Sequence, residues 1–414
     1  MKKGRVNRIH NADFVAWAAD EDYRITFEGA PKYHAILCDP PYGISFMGKK
    51  WDAGGPEAFQ ATAKSWGEAI KPLLCPGALV FMFAGTRMWH RLAAGMEDAG
   101  FHLWDTLMWL HGQGFPKGQD ISKLIDRAHG NEREKLRQEK RTGKDLGTFG
   151  SYAGNNWVSA PGSEISVPWA GHKTPQLKPA WEPVLAFRAP SQGKKYVELA
   201  LEHGSGTLNV DSARIEYQSE ADKASATPQG ECTAKPGALA GGTQHDGKRS
   251  TFERPELLGR YPANLVLDEE AAATLDSQSG RDTGGASRFF YCAKASRSER
   301  ETGLEEFEPH TVRTGCAGDM PIDDRGKDRD RFSKQAKNIH PTVKPISLNR
   351  WLAALLLPPD SVKRRRILVP FAGVGSEMIG CIQAGWDEVV GVEMTPEYCK
   401  IAEARLACWE MKAA

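Results

Sequence analysis

Apolar and polar positions are grouped in regular blocks toward both ends of the chain and lose that rhythm in the middle. Residues 35–38 (AILC) and 77–85 (GALVFMFAG, entered by a Pro-Gly turn) are short apolar runs that predict buried strands. Residues 86–99 (TRMWHRLAAGMEDA) space their apolar side chains near 3.6 and predict a short helix, weakened by Gly95. FHLWDTLMWL (101–110) and WEPVLAFRA (181–189) read as further strands. Toward the other end, Leu348 to Leu357 predicts a helix stopped by Pro358-Pro359. Next come a strand at Ile367–Val369, a glycine-rich turn, a helix over 376–384, a strand over Glu388–Val392 and a last helix over 396–412. Strand-helix alternation at both ends predicts an α/β fold with one parallel sheet built from both termini.

The middle departs from this pattern. Residues 218–250 and 299–337 are rich in Gly, Ser, Pro, Asp and Arg and read as long surface loops, partly disordered. Residues 126–144 (DRAHGNEREKLRQEKRTGK) predict a helix with Arg133, Arg137 and Arg141 on one face. That face is either merely solvated, the plainer reading, or one that contacts phosphates. No internal repeat is visible.

At 414 residues the chain is too long for one ordinary core, so one large domain with insertions or two domains are expected. Hydrophobic residues make up 40% and charged residues 26%, an ordinary globular composition. Lys+Arg 54 against Asp+Glu 53 leaves a net charge of +1, so any nucleic-acid surface must be a local patch. Eight cysteines without a C-x-x-C pair argue against a zinc site or a disulfide framework, and no metal is expected. The basic start MKKGRVNRIHNADF lacks the apolar segment of a secretory signal, and the apolar runs are too short to cross a bilayer. A soluble, cytoplasmic protein is the expectation.

The first strand runs straight into Asp39-Pro40-Pro41-Tyr42. A carboxylate at the carboxyl end of a parallel strand sits where open α/β sheets bind ligands. Two prolines form a stiff corner whose carbonyls can point outward, and Tyr42 adds a flat face. Together they suit a planar group that donates hydrogen bonds, such as the exocyclic amine of a nucleobase. That amine's lone pair is delocalised into its ring. Accepting both N–H hydrogens, on the Asp39 carboxylate and the Pro40 carbonyl, would favour a pyramidal, nucleophilic nitrogen and stabilise the positive charge that grows on it. Tyr42 would hold a base swung out of the duplex. The plainer alternative is a turn that only ends a strand.

RRRILVPFAGVGSEMIG (364–380) reads as strand, glycine turn and helix. Gly373 and Gly375 allow close backbone approach to a ligand, and Ser376 is placed to cap the helix. The spacing fits neither the dinucleotide fingerprint nor a phosphate loop. Glu393 ends the next strand about twenty residues on, where an acid can bond both hydroxyls of a ribose. A nucleoside without pyrophosphate fits, S-adenosylmethionine among them; a tight packing turn is the alternative. In NIHPTVKPISL (338–348), Thr342 and Lys344 are placed to meet the carboxylate of an amino-acid moiety, or serve structure alone.

These three stretches together resemble the beta class of amino-methylating DNA methyltransferases, in which D-P-P-Y comes first, a target-recognition region follows, and H-P-T-x-K-P and F-x-G-x-G come last. The resemblance implies a permuted Rossmann-like methyltransferase sheet with an inserted recognition region. It implies the catalytic half at 1–110, remaining core strands plus recognition insertions at 111–337, and the cofactor half at 338–414. Asp39, Pro40, Pro41 and Tyr42 would be catalytic. Phe371, Gly373, Gly375, Ser376, Glu393, Thr342 and Lys344 would bind S-adenosylmethionine. Asn11-Ala12-Asp13-Phe14 looks like the family's N-x-D element, which implies that Asp13 meets the adenine of the cofactor. LKPAWEPVLAFRAP (177–190), GSGTLNVDSARI (204–215), GRYPANLVLD (259–268) and SRFFYCAKASRSER (287–300) look like segments of the phage and prophage subgroup. One departure stands out. The family usually carries Asp before Pro-Phe, toward the methionine end of the cofactor, and here that position is Val369, which predicts either weaker cofactor binding or compensation by another acid such as Glu377.

The expected activity is methyl transfer to adenine N6 in double-stranded DNA. Adenine is favoured because related cytosine-N4 enzymes more often carry Ser where Asp39 stands. The alternatives are a cytosine-N4 enzyme and an inactive DNA-binding homologue. A glutamine methylase would resemble N-P-P-Y instead, and a Rossmann dehydrogenase would need the missing fingerprint. Recognition is expected between 111 and 337, where Lys and Arg mix with Trp157, Trp169 and Tyr217. A homodimer is compatible with the sequence, and a restriction endonuclease partner is not specified by it.

Overall fold

The computed structural model describes residues 6–20, 32–44, 55–112, 118–139, 156–226, 230–232, 250–252, 258–280, 285–294, 298–313, 333–340 and 342–413. The chain runs β1 (Val6–Asn11), α1 (Phe14–Ala19), β2 (Tyr33–Cys38), α2 (Gly55–Ile70), β3 (Leu74–Phe83), α3 (Trp89–Asp98), β4 (His102–Leu110), α4 (Ile121–Ala128), β5 (Lys135–Glu139), β6 (Asn156–Ser159) and β7 (Trp181–Arg188). It continues through β8 (Gly230–Cys232), β9 (Ser250–Phe252), β10 (Leu265–Asp268), α5 (Glu269–Ser279), β11 (Tyr291–Ala293), β12 (His310–Arg313) and β13 (Ser333–Ala336). Last come α6 (Ile346–Leu355), β14 (Arg366–Pro370), α7 (Ser376–Ala384), β15 (Glu388–Glu393) and α8 (Pro396–Ala413).

Strands β2, β14 and β15 bury every residue, so their middles are apolar runs without alternation, with His34, Arg366, Glu388 and Glu393 the buried polar exceptions. They lie side by side in a nine-stranded sheet of order β1-β15-β14-β2-β3-β7-β4-β10-β11. The two ends of the chain join where β14 pairs β2 in parallel, Ile367 opposite Ala35 and Leu368 opposite Ile36. Helices cover both faces. One core gathers Phe14, Trp17, Phe59, Trp66, Leu92 and Met96 from α1, α2 and α3. The other gathers Trp351, Leu352 and Leu355 of α6 with Met378 and Ile382 of α7 and Trp386. Gly380 permits that second layer: a Cβ there would lie 2.6 Å from the Asn349 Cβ and 2.8 Å from the Arg350 nitrogen, so α6 and α7 close backbone to backbone.

The sheet is mixed rather than wholly parallel. β7 runs antiparallel to both β3 and β4, which corrects the expectation of one parallel sheet. Apolar pattern reports burial and carries no strand direction, so 181–189 revealed a strand but not its sense. β1, β10 and β11 were not predicted as strands; β10 and β11 are only four and three residues long, too short for a period to show.

The predicted helix over 126–144 is also corrected. α4 ends at Ala128, and Lys135–Glu139 forms β5, antiparallel to β6. Arg133 turns inward instead of joining an arginine face: it pairs with the buried Asp126 and donates to Ser122 Oγ at 2.5 Å. Arg141 lies outside the described residues, as do 227–229, 233–249 and 314–332 of the two predicted loops. Within those loops, Glu220–Ala226 is a short helix and β12 pairs antiparallel with β13. No described helix is long and apolar enough to cross a membrane.

Candidate active site

Strands β1, β2, β14 and β15 are mutually parallel, so whatever follows each of them lies along one edge of the sheet. Asp39-Pro40-Pro41-Tyr42 leaves β2, Phe371 to Ser376 leaves β14, Glu393 ends β15, and Asp13 follows β1. Residues far apart in sequence thus meet there. Asp39, Thr342, Lys344, Phe371, Gly373 and Glu377 line one cavity at this edge.

Asp39 is fully engaged. Tyr42 donates its hydroxyl to Asp39 Oδ1 at 2.7 Å and also lies 3.1 Å from Glu182 Oε2. Lys344 Nζ donates to Asp39 Oδ2 at 2.6 Å and to the Tyr42 hydroxyl at 3.0 Å, and it stands 3.3 Å from Glu182 Oε2. The ammonium also sits 4.9 Å from the Phe83 ring centroid and 5.5 Å from that of Tyr42. Burial alone would lower the proton affinity of Lys344, yet Asp39 and Glu182 more than offset it, so Lys344 stays charged. Burial, with Asp39 and Glu182 beside it, pushes the Tyr42 phenol well up, so Tyr42 acts as a neutral donor. Gly85 lets the Tyr42 ring lie against the exit of β3, where a Cβ would come within 3.0 Å of it.

The sequence reading placed Lys344 on the cofactor carboxylate; in the structure its ammonium is committed to Asp39, Tyr42 and Glu182. Glu182 and its neighbour His111, 4.0 Å away, were missed altogether. The available signal was an acid before proline at the start of an apolar strand. It points to this edge only because β7 runs antiparallel, which brings its first residues to the carboxyl ends of its neighbours.

The glycine turn is built from the backbone. Gly373 and Gly375 have φ of 50° and 78°, and Phe371, a non-glycine residue, is also left-handed at 57°. Tilted ring contacts hold it there: its ring centroid lies 4.9 Å from that of Trp66 and 5.5 Å from that of Phe14. Glu393 ties the turn down, with Oε2 accepting the Gly373 N–H at 2.9 Å and Oε1 the Thr395 N–H at 2.8 Å. Asp13 accepts the Ala16 N–H and caps α1, while the neighbouring Asn11 side chain donates to the carbonyls of Glu393 and Met394. Ser376 does not cap α7, which corrects that expectation. Gly375 holds the cap position without a side-chain bond, and Ser376 Oγ instead accepts from Arg405 at 3.0 Å.

Glu377, in the first turn of α7, is 5% exposed and accepts from Asn349 Nδ2 at 3.2 Å. Burial, and then the charge of Asp39, pushes its proton affinity up to about 7. Val369 is fully buried in the core and offers the cavity no polar atom. Burial also raises the Cys38 thiol well up, which makes it a poor nucleophile despite its place beside Asp39.

A family described as DNA methylase (N6_N4_Mtase) has a model that matches residues 33–404, most of the chain. The Type II methyltransferase M.HindIII of Haemophilus influenzae is 23% identical over 245 residues, covering 50% of this chain and 66% of that protein; the chain thus spans slightly under two thirds of that relative. Among solved structures, the PvuII DNA methyltransferase (cytosine-N4-specific) aligns over 99% of this chain and 91% of its own, with a TM-score of 0.45 at 11% identity. The M1.HpyAVI-SAM complex aligns over 97% and 99%, with a TM-score of 0.39 at 12% identity.

Proposed function

The chain belongs to the DNA methylase family, and on that premise we propose that it is a site-specific DNA methyltransferase that moves a methyl group from S-adenosylmethionine to adenine N6 in double-stranded DNA. The observation that carries this reading is the meeting of Asp39-Pro40-Pro41-Tyr42 with the glycine turn and Glu393 at one sheet edge. The residues there suit the cofactor. Gly373 leaves room for close approach, with His340 Nε2 3.2 Å from where a Cβ would stand. Glu393 offers a fixed carboxylate for hydroxyl groups, and Glu377 a buried carboxylate for a cation.

Bound S-adenosylmethionine supplies an electrophilic methyl carbon on a sulfonium. Asp39 and the Pro40 carbonyl accept the two amine hydrogens, which directs the nitrogen lone pair at that carbon. When bound, the cofactor would give its methyl to that nitrogen and leave as a neutral thioether, and Asp39 would take up the proton that the nitrogen loses. Tyr42, held by its hydroxyl to Asp39 and Glu182, presents its ring to the extruded base. Lys344 fixes the carboxylate orientation. No covalent enzyme intermediate is needed, in keeping with the inert Cys38. Residues 111–337 supply target recognition in this reading, and Asp13 and Thr342 complete the cofactor pocket.

The assay is transfer of labelled methyl to unmethylated genomic DNA, followed by nucleoside analysis, with Asp39→Asn as control. Labelled N6-methyladenine that drops at least about a hundredfold in the variant supports the reading. N4-methylcytosine would keep the mechanism and replace the base. Absence of label with DNA binding intact would leave an inactive DNA-binding homologue.

A further inference from the structure

We propose that Glu377 is the carboxylate that receives the ammonium group of the cofactor's methionine end, held in place by Asn349; this rests on the cofactor reading above. Four observations lead there. First, Glu377 lines the same cavity as Asp39, Gly373 and Phe371 yet is 5% exposed, so its charge faces the cavity and little bulk water. Second, no ion pair among the described residues includes it. Its partners are neutral, the Asn349 amide and its own backbone N–H. A buried carboxylate in that state is costly or takes a proton.

Third, the nearby cations are committed elsewhere. Lys344 serves Asp39, Tyr42 and Glu182. Arg405 is held by the Val374 carbonyl, Ser376 Oγ and the Glu299 carbonyl. Fourth, Asn349 is wholly buried beside Glu377, and its Oδ1 has no hydrogen-bond partner among the described groups. Gly380 admits it by letting α6 approach α7. The carboxylate that lines the cavity is therefore held by a wholly buried amide. With Val369 apolar and fully buried, the end of β14 offers no competing acid.

The cofactor carries two cationic centres, and chemistry selects between them. The sulfonium loses its charge in the reaction. A full negative charge beside it would stabilise the bound substrate more than the transition state and slow transfer. The ammonium keeps its charge throughout and has three N–H donors to satisfy. Glu377 at the ammonium therefore strengthens binding uniformly, raising affinity without changing kcat.

The groups facing Glu377 from neighbouring elements are Asp39 and Cys38 at the end of β2, Lys344 before α6, Cys381 on α7 and Arg405 on α8. His340 lines the same cavity and is kept neutral by burial, which lowers its proton affinity to about 4. Glu377 is then the group here that titrates near neutrality, and the ammonium's contribution shrinks as it protonates.

The experiment is calorimetric binding of S-adenosylhomocysteine, whose only cation is the ammonium, and of its analogue lacking the amino group. Both ligands are titrated into the full chain and its Glu377→Gln variant at pH 8. We expect the variant to bind S-adenosylhomocysteine about 10- to 100-fold more weakly and the deaminated analogue within about threefold of wild type. Equal weakening of both ligands, or of neither, overturns the proposal. If the variant does not fold, wild type alone decides. Its preference for S-adenosylhomocysteine over the analogue must fall several-fold from pH 8 to pH 6, and a pH-independent preference overturns the assignment. Wild type that binds neither ligand refutes the cofactor reading itself, an outcome distinct from the loss of ammonium selectivity alone.

Discussion

Neutralising a buried acid should stabilise this protein, and increasingly so as pH rises. Glu377 holds its proton up to about pH 7 in the folded protein, against an ordinary value of 4.5. Raised folded-state affinity has a definite sign: the proton stabilises the fold fully below the unfolded value, and that stabilisation disappears as pH rises through the folded one. The full difference is about 3 kcal/mol at about 1.4 kcal/mol per pH unit, of which about 2 kcal/mol is lost between about pH 5.5 and pH 8. Gln at 377 keeps the shape and can still meet Asn349, but it has no charge to desolvate. In thermal melts of the ligand-free protein, Glu377→Gln should exceed wild type slightly near pH 5.5, by about 1 kcal/mol, and by a few degrees at pH 8, by about 3 kcal/mol. Scanning at one fixed rate keeps the comparison valid if unfolding is irreversible. S-adenosylhomocysteine at pH 8 should narrow or reverse the gap by stabilising wild type more. Melting curves of the two proteins that differ by the same amount at both pH values would refute the reasoning, since the offset would then come from packing and not from charge.

Two further substitutions probe the neighbouring charges. Lys344→Met removes the cation from between Asp39 and Glu182 and leaves two mostly buried carboxylates around the Tyr42 hydroxyl. It should destabilise the fold by about 3–5 kcal/mol and shift the pH–rate profile to higher pH, as one carboxylate takes up a proton; an unchanged profile would remove Lys344 from the catalytic group. Arg133→Ala strips the partner from Asp126, whose carboxyl is held well below the usual range by the Ser163 hydroxyl and by Arg133. Its melting temperature should fall by several degrees while DNA affinity and its salt dependence stay as in wild type. A weaker salt dependence instead would restore Arg133 as a phosphate contact.

The contrast between Arg133 and Asp39 shows what the sequence made legible. Strands buried on both faces announce themselves as apolar runs, so β2, β14 and β15 could be found within a residue or two, and with them the acids that end β2 and β15. Arg133, Arg137 and Arg141 matched a helical period that the chain does not adopt. Their spacing of four was uninformative because few apolar positions around them fixed a phase, and propensity gave way to the pairing of β5 with β6. Glu182 was hidden by strand direction, which pairing decides and side-chain pattern does not record. Lys344 was read from the sequence as a cofactor residue, and only the folded chain sets its ammonium 2.6 Å from Asp39 across 305 positions of sequence.

That neighbour changes how the site works. Asp39, Glu182 and Glu377 lie at the sheet edge that also holds Glu393, and Lys344 pairs with the first two. Such an imbalance would ordinarily be relieved by protonation, and the rise in Glu377 shows where the proton goes. A ligand that brings positive charge to Glu377 removes the need for that proton. It also withdraws some of the field that Asp39 and Glu377 exert on each other, which favours Asp39 as acceptor of the amine hydrogens. On that reading, cofactor binding at one carboxylate and base activation at the other are coupled through the cavity both line, with Lys344 setting the balance between them. On this account the apolar Val369 is no defect of the glycine turn: the acid stands instead in the first turn of α7, where burial makes its charge depend on the cofactor being there.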